Sequence, residues 1–149
     1  MILTIELVPE TSWYSNMRKV MTTEDWDKLR RSTYAKYNHI CGICGATGML
    51  HCHEIWEYDD RRHIQKLKGF IAICPLCHHV KHIGFAAILA KRGELDYDDV
   101  VNHFLKVNKC SLREFEKYRE EAFEEWEERS SHSWKVDLGE FQKLVSERR

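Results

Sequence analysis

Residues 73–82 read ICPLCHHVKH, from Ile73 to His82. Cys74 and Cys77 are three apart, and His78, His79 and His82 follow at once. A Cys-x-x-Cys turn aims two thiolates at one point. Histidines four apart on a helix project from one face, so His78 and His82 can share a metal, while His79 points about 100° away. Pro75 is tolerated in a first helical turn. The stretch therefore predicts a cysteine knuckle that launches a helix, running through HHVKHIGFAAILAKR to Gly93.

Working back along the chain, Cys41-Gly-Ile-Cys44 supplies a second pair. Two such turns complete a tetrahedral site, so Cys41, Cys44, Cys74 and Cys77 are read as ligands of one structural zinc. Gly42 and Gly45 give the first turn its backbone freedom. A thioredoxin-like redox motif needs only one pair, and buried free thiols are the plain alternative. Cys52 and Cys110 have no partner at ligand spacing and read as core or surface thiols. Four thiolates leave a zinc no room for imidazole, so His53, His78, His79 and His82 remain to be explained. His51 and His53 share one side of an expected strand, LHCHEIW.

The flanks are ordinary. MILTIELV alternates partly and is expected to be a strand; TSWYSNMRK is a polar connector. TTEDWDKLRRSTYAKY reads as a helix capped by Thr22 or Thr23, with Trp26, Leu29, Thr33 and Tyr37 along one stripe. DYDDVVNHFLKVN is a helix capped by Asp96. SLREFEKYREEAFEEWEERSS is another, with a Ser111–Glu114 capping box and an apolar seam of Phe115, Tyr118, Ala122 and Trp126. HSWKVDLGEF reads as a short strand and FQKLVSERR as a frayed helix. The chain reads as one domain, 1–149, with a metal core at about 34–92, a strand and helix at 1–38 and a helical extension at 93–149.

Composition agrees: 43% of residues are apolar and 32% charged, which excludes disorder over most of the chain. The longest apolar run, around Phe70 to Cys74, is too short for a membrane span. No basic start followed by an apolar stretch marks a signal peptide, which points to the cytoplasm, where cysteines serve as ligands or free thiols. The net charge is −1, but it is segregated. Seven Lys or Arg and no acid lie between Arg61 and Arg92, whereas eight Glu face four basic residues between Leu112 and Arg129. Either run alone is read equally well as a solvated face. The overlap of the basic run with the metal-rich segment favours a phosphate-facing surface built on Arg61, Arg62, Lys66, Lys68 and Lys81.

The order of Cys41-Gly-Ile-Cys44, His53-Glu54-Ile55 and Cys74-Pro-Leu-Cys77-His78-His79-Val80-Lys81-His82 resembles the zinc-bearing HNH endonucleases of the ββα-metal type, over roughly residues 34 to 86. The resemblance implies an α+β fold, mainly helical, with a zinc-stabilised ββα-metal core flanked by helices. It implies that His53, His78 and His82 hold a catalytic divalent ion, Mg²⁺ or another, and that Glu54 stands at the general-base position. Its catalytic set is then His53, Glu54 and His78. The implied partner is DNA, or RNA, with a protein partner or homodimer as further possibilities. This chain departs from the family in having Glu54 where the base is usually His, and Gly69 where an Asn steadies the loop; His63 or Gln65 can take over that task. Asp59 and Asp60 read as an extra metal ligand or as turn residues. The alternatives are a catalytically impaired module that keeps the fold and zinc to bind nucleic acid or a protein, and a zinc-stabilised regulatory or toxin-like interaction protein.

Overall fold

The computed structural model describes residues 1–12 and 16–145. The fold is α+β: mostly helical, with one three-stranded sheet. Its centre is a hairpin of β1 (His51–Asp59) and β2 (Ile64–Ile73), antiparallel from His51 opposite Ile73 to Asp59 opposite Ile64. The pairing slips between Ile55 and Trp56, leaving Lys68 as the extra residue of a bulge. Gly69 beside it has φ +154°, a backbone state that L side chains rarely adopt. The expected strand near the C-terminus forms as β3 (Lys135–Asp137), parallel to β2.

Four of the five α-helices among the described residues begin at a side-chain cap. The first, α1 (Thr23–Lys36), is capped by Thr22, whose side chain accepts from the Asp25 N–H. Cys74 caps α2 (Pro75–Lys81) through its sulfur, with Pro75 in the first turn. The next, α3 (Ile83–Lys91), follows directly. Asp96 caps α4 (Tyr97–Asn108), and α5 (Leu112–Ser130) carries the full Ser111–Glu114 capping box.

The hairpin lies between two cores. On one side Ile73, Cys74, Val80, Ile83, Phe104 and Phe115 pack with Leu3 and Ile5. On the other, Met17, Trp26, Cys52, Leu67, Phe70 and Leu138 form a smaller cluster with α1 and the C-terminal segment. The Phe115 to Trp126 seam of α5 is confirmed as packing, with Phe115 buried and Trp126 donating its indole N–H to the Val8 carbonyl.

Two expectations are corrected. Residues 1–8 do not join the sheet. Leu3 and Ile5 alternate into the core as a strand would, but Asn108 Oδ1 accepts from the Ile2 and Leu3 N–H groups, and Tyr118 Oη accepts from the Ile5 N–H. The segment is an extended strap satisfied by helix side chains. The single helix expected from Pro75 to Gly93 is two, meeting at His82 (φ −109°, ψ 53°). There the Lys81 carbonyl accepts from the Glu6 N–H at 3.0 Å, so the strap and the break share one hydrogen bond. The C-terminal tail is a 3-10 helix over Gly139–Leu144; the rest of the frayed helix, 146–149, lies outside the described residues, as does the aromatic pair Trp13–Tyr14.

Candidate metal centres

Among the described residues, two groups have the composition and closeness of metal sites: Cys41, Cys44, Cys74 and Cys77, and His53, His78 and His82. Within each group the candidate ligand atoms lie within 4.8 Å of one another.

The thiol group is built by two knuckles. In the first, the Ile43 and Cys44 N–H groups both point at Cys41 Sγ, at 3.4 Å. Gly45, at φ +78°, closes the turn by donating its N–H to the Cys41 carbonyl. The Gly42 N–H docks the knuckle on the Ala72 carbonyl at the end of β2. The second knuckle is the start of α2, where the Cys77 N–H points at Cys74 Sγ at 3.4 Å. Between knuckles, Cys41 Sγ is 3.8 Å from Cys77 Sγ, and Cys44 Sγ is 3.6 Å from Cys74 Sγ. Sulfurs around a tetrahedral zinc at about 2.3 Å stand about 3.8 Å apart, so these two separations match those of a zinc tetrahedron. Burial pushes the Cys41 thiol up, but the N–H groups of Cys44, Cys74 and Ile43 outweigh it and bring it down to about 7. Burial and the neighbouring sulfurs Cys41 and Cys74 push Cys77 the other way. Four crowded thiols oppose each other's ionisation, and a divalent cation among them relieves that repulsion. The chain can therefore hold a structural zinc here.

The imidazole group is built at the same junction of hairpin and helix. His53 comes from the start of β1, His78 from α2 and His82 from the break after it. Ring centroids are 4.8 Å apart for His78 and His82, 5.2 Å for His53 and His82, and 5.4 Å for His53 and His78. Burial first, then the neighbouring rings, depress His78 to about 3 and His82 to about 4. Both are neutral at physiological pH, the form in which an imidazole binds a metal.

Three neighbours of these groups were not among the expected site residues. His51 Nδ1 lies 2.8 Å from His78 Nδ1, so one ring donates to the other; with His78 as the donor, its Nε2 keeps the lone pair a ligand needs. His103 of α4 brings Nε2 to 3.2 Å from Cys77 Sγ. Glu6 of the strap has Oε1 at 3.1 Å from His53 Nε2, while its Oε2 is engaged by Lys81 and Thr4. Burial opposes the charge on Glu6, but His53 and Lys81 outweigh it and hold the carboxyl at about 2. His51 was visible in the strand alternation, on the side of His53. Nothing local in sequence marks His103 or Glu6.

The remaining expected residues are scattered. Glu54 follows His53 on β1 and so turns to the opposite face. It is buried, and Oε2 accepts from the Met17 N–H at 3.2 Å. Burial pushes its carboxyl above the usual range. His53, Glu54 and His82 nevertheless border one cavity of about 200 Å³, closed by the strap and by Trp126 and Arg129 of α5. Arg61, Arg62, Lys66 and Lys68 are exposed, on the hairpin turn and along β2. Asp59 is six steps along the strand from His53, so the turn is about 20 Å from the imidazole group. Lys81 has to be removed from the phosphate-facing set: it is 5% exposed, and its ammonium is taken by Glu6 and Thr4.

Asp59 and Asp60 act as turn residues. Asp59 Oδ1 accepts from the Arg61 and Arg62 N–H groups, and Asp60 pairs with Arg129. Gly69 is paired with Ile55 beside the bulge and is not part of the hairpin turn. Gln65 is fully buried and bonded to Ser12, and His63 stacks on His132. Cys52 is buried beside Thr33, and Cys110 is partly exposed. No helix among the described residues is long and apolar enough to cross a membrane. No family model, no curated protein and no solved structure matches the chain.

Proposed function

We propose that this chain is a metal-dependent endonuclease of the HNH type, hydrolysing phosphodiester bonds in DNA. The observation that supports it is the division of labour at one hairpin–helix junction: four sulfurs gather in one group and three imidazoles in another, with His53 and His82 bordering a cavity. His53, His78 and His82 would hold the catalytic ion. Bound there, a divalent ion supplies charge stabilisation to the scissile phosphate and its leaving oxygen. Glu54 would take the proton of the attacking water, a task helped by the burial that raises its carboxyl. The exposed Arg61, Arg62, Lys66 and Lys68 would hold the phosphate backbone without reading bases. An all-imidazole set suits Ni²⁺, Zn²⁺ or Co²⁺ better than Mg²⁺, which prefers oxygen.

A second reading has its own observation. Glu54 faces Met17, away from His53's side of the strand, which suits a module that retains the zinc and binds nucleic acid or a protein without cutting. Plasmid cleavage by the purified protein with Mg²⁺, Mn²⁺ or Ni²⁺, against an EDTA control, separates the two. The nuclease reading expects metal-dependent nicking, with Glu54→Gln losing rate more than metal affinity. No cleavage with any of these ions replaces it by the binding-module reading.

A further inference from the structure

We propose that Glu6 is a positioning residue of the imidazole centre: it sets which nitrogen of His53 is free to bind an ion. The inference rests on the metal reading above and extends it to a residue of the N-terminal strap.

The carboxylate is fixed from several directions. Its own N–H donates to the Lys81 carbonyl at 3.0 Å. The Thr4 hydroxyl donates to Oε2 at 3.1 Å, and the buried Lys81 ammonium bonds both Oε2 and the Thr4 oxygen. Oε1 is thereby turned to His53 Nε2, at 3.1 Å. A carboxylate paired with an ammonium can only accept, so the hydrogen in this contact belongs to His53 Nε2. In a neutral ring that leaves the lone pair on Nδ1. Ligating histidines characteristically give their other N–H to a carboxylate, which fixes the ring and strengthens the ligand nitrogen. Glu6 and His53 form that pair. Glu6 is not itself one of the gathered ligand atoms. The pairing also accounts for Lys81: a lysine 5% exposed is costly unless its charge is matched, and here matching it orients the carboxylate.

Glu6→Gln tests the arrangement because Lys81 can only donate. In the variant the amide oxygen must face Lys81, which turns the NH₂ toward His53 and reverses the polarity of the contact. The His53 proton then moves to Nδ1, and that nitrogen can no longer bind an ion. Replacing Lys81 as well, in Glu6→Gln/Lys81→Met, frees the amide to turn its oxygen back. Three zinc-loaded proteins are compared: wild type, Glu6→Gln and the double variant. Long-range ¹H–¹⁵N spectra read the His53 tautomer before a second ion is added, and a Co²⁺ titration reads affinity at the imidazole centre. The thiolate-bound zinc content reports that each protein is folded.

Expected are an Nε2-protonated His53 in wild type, an Nδ1-protonated ring with affinity about 10–100-fold lower in Glu6→Gln, and recovery of most of that affinity in the double variant. Deleting Lys81 also relieves an unpaired buried charge, so recovered affinity counts for positioning only where the His53 tautomer returns to Nε2–H with it. An Nδ1-protonated ring in wild type, equal Co²⁺ affinity in wild type and Glu6→Gln, or no recovery in the double variant overturns the proposal alone. A wild type that takes up no second ion overturns it together with the metal reading.

Discussion

At the scale of single residues, neighbouring side chains of α2 serve different groups. Cys77 turns to the sulfurs and His78, next in sequence, to the imidazoles, because adjacent helix positions point about 100° apart. The two groups should therefore separate under mutation. His82→Ala or His53→Ala is expected to abolish uptake of a second ion, and cleavage with it, while elemental analysis still finds one zinc per chain. Cys44→Ser is expected to do the converse, releasing zinc and lowering the melting temperature. If replacing His82 also strips the zinc, the histidines belong to the structural site. His103 gives a finer test. Its Nε2 stands 3.2 Å from Cys77 Sγ and is placed to donate to a thiolate. Outer hydrogen bonds of this kind are worth roughly 10–100-fold in metal affinity. His103→Phe should weaken zinc binding by about that factor in a chelator competition, and an unchanged zinc affinity would reduce His103 to packing.

At the scale of elements, the hairpin depends on a glycine. Gly69 sits beside the bulge at φ +154°, and a Cβ built there meets nothing within 4 Å. Space is not the obstacle to a side chain; the backbone conformation is. Gly69→Ala should cost about 1–3 kcal/mol, read from urea unfolding, with little change in the slope of the transition. A neutral result would mean that β2 re-registers at no cost. The same contrast between local and distant causes explains what was legible in the sequence. Helix starts could be read because their determinants lie within a turn: Thr22, Asp96, and Ser111 with Glu114 each satisfy N–H groups two or three residues on. Both cysteine knuckles could be read for the same reason. The strap and the break at His82 could not. The two meet at the contact between Glu6 and Lys81, seventy-five positions apart. Lys81 looked like one more charge in a basic run; only the tertiary structure shows that its partner is Glu6.

At the scale of the molecule, the candidate ion site and the free basic surface lie at different ends of one hairpin. The imidazoles sit where β1 begins and β2 hands over to α2, while Arg61 and Arg62 occupy the turn at the other end, about 20 Å away. Lys66 and Lys68 point outward from β2 between them, alternating with buried Gln65 and Leu67. If this surface lies along nucleic acid, Arg61 and Arg62 bind phosphates remote from the bond that is cut, and the contribution of the four basic residues is chiefly to affinity. Replacing Arg61, Arg62, Lys66 and Lys68 together by Ala should then weaken duplex binding. It should also flatten the plot of log K against log salt by about 0.9 for each phosphate no longer neutralised. Cleavage at saturating DNA should be nearly unchanged, since none of the four belongs to the imidazole group. Lys81→Met, by contrast, should leave the slope where it was, because that ammonium is already neutralised inside the protein by Glu6. Binding measured between about 50 and 200 mM salt distinguishes these cases. A slope unaffected by the fourfold substitution returns the run to an ordinary solvated face. A slope lowered by Lys81→Met as well would mean that the strap releases Lys81 when nucleic acid binds.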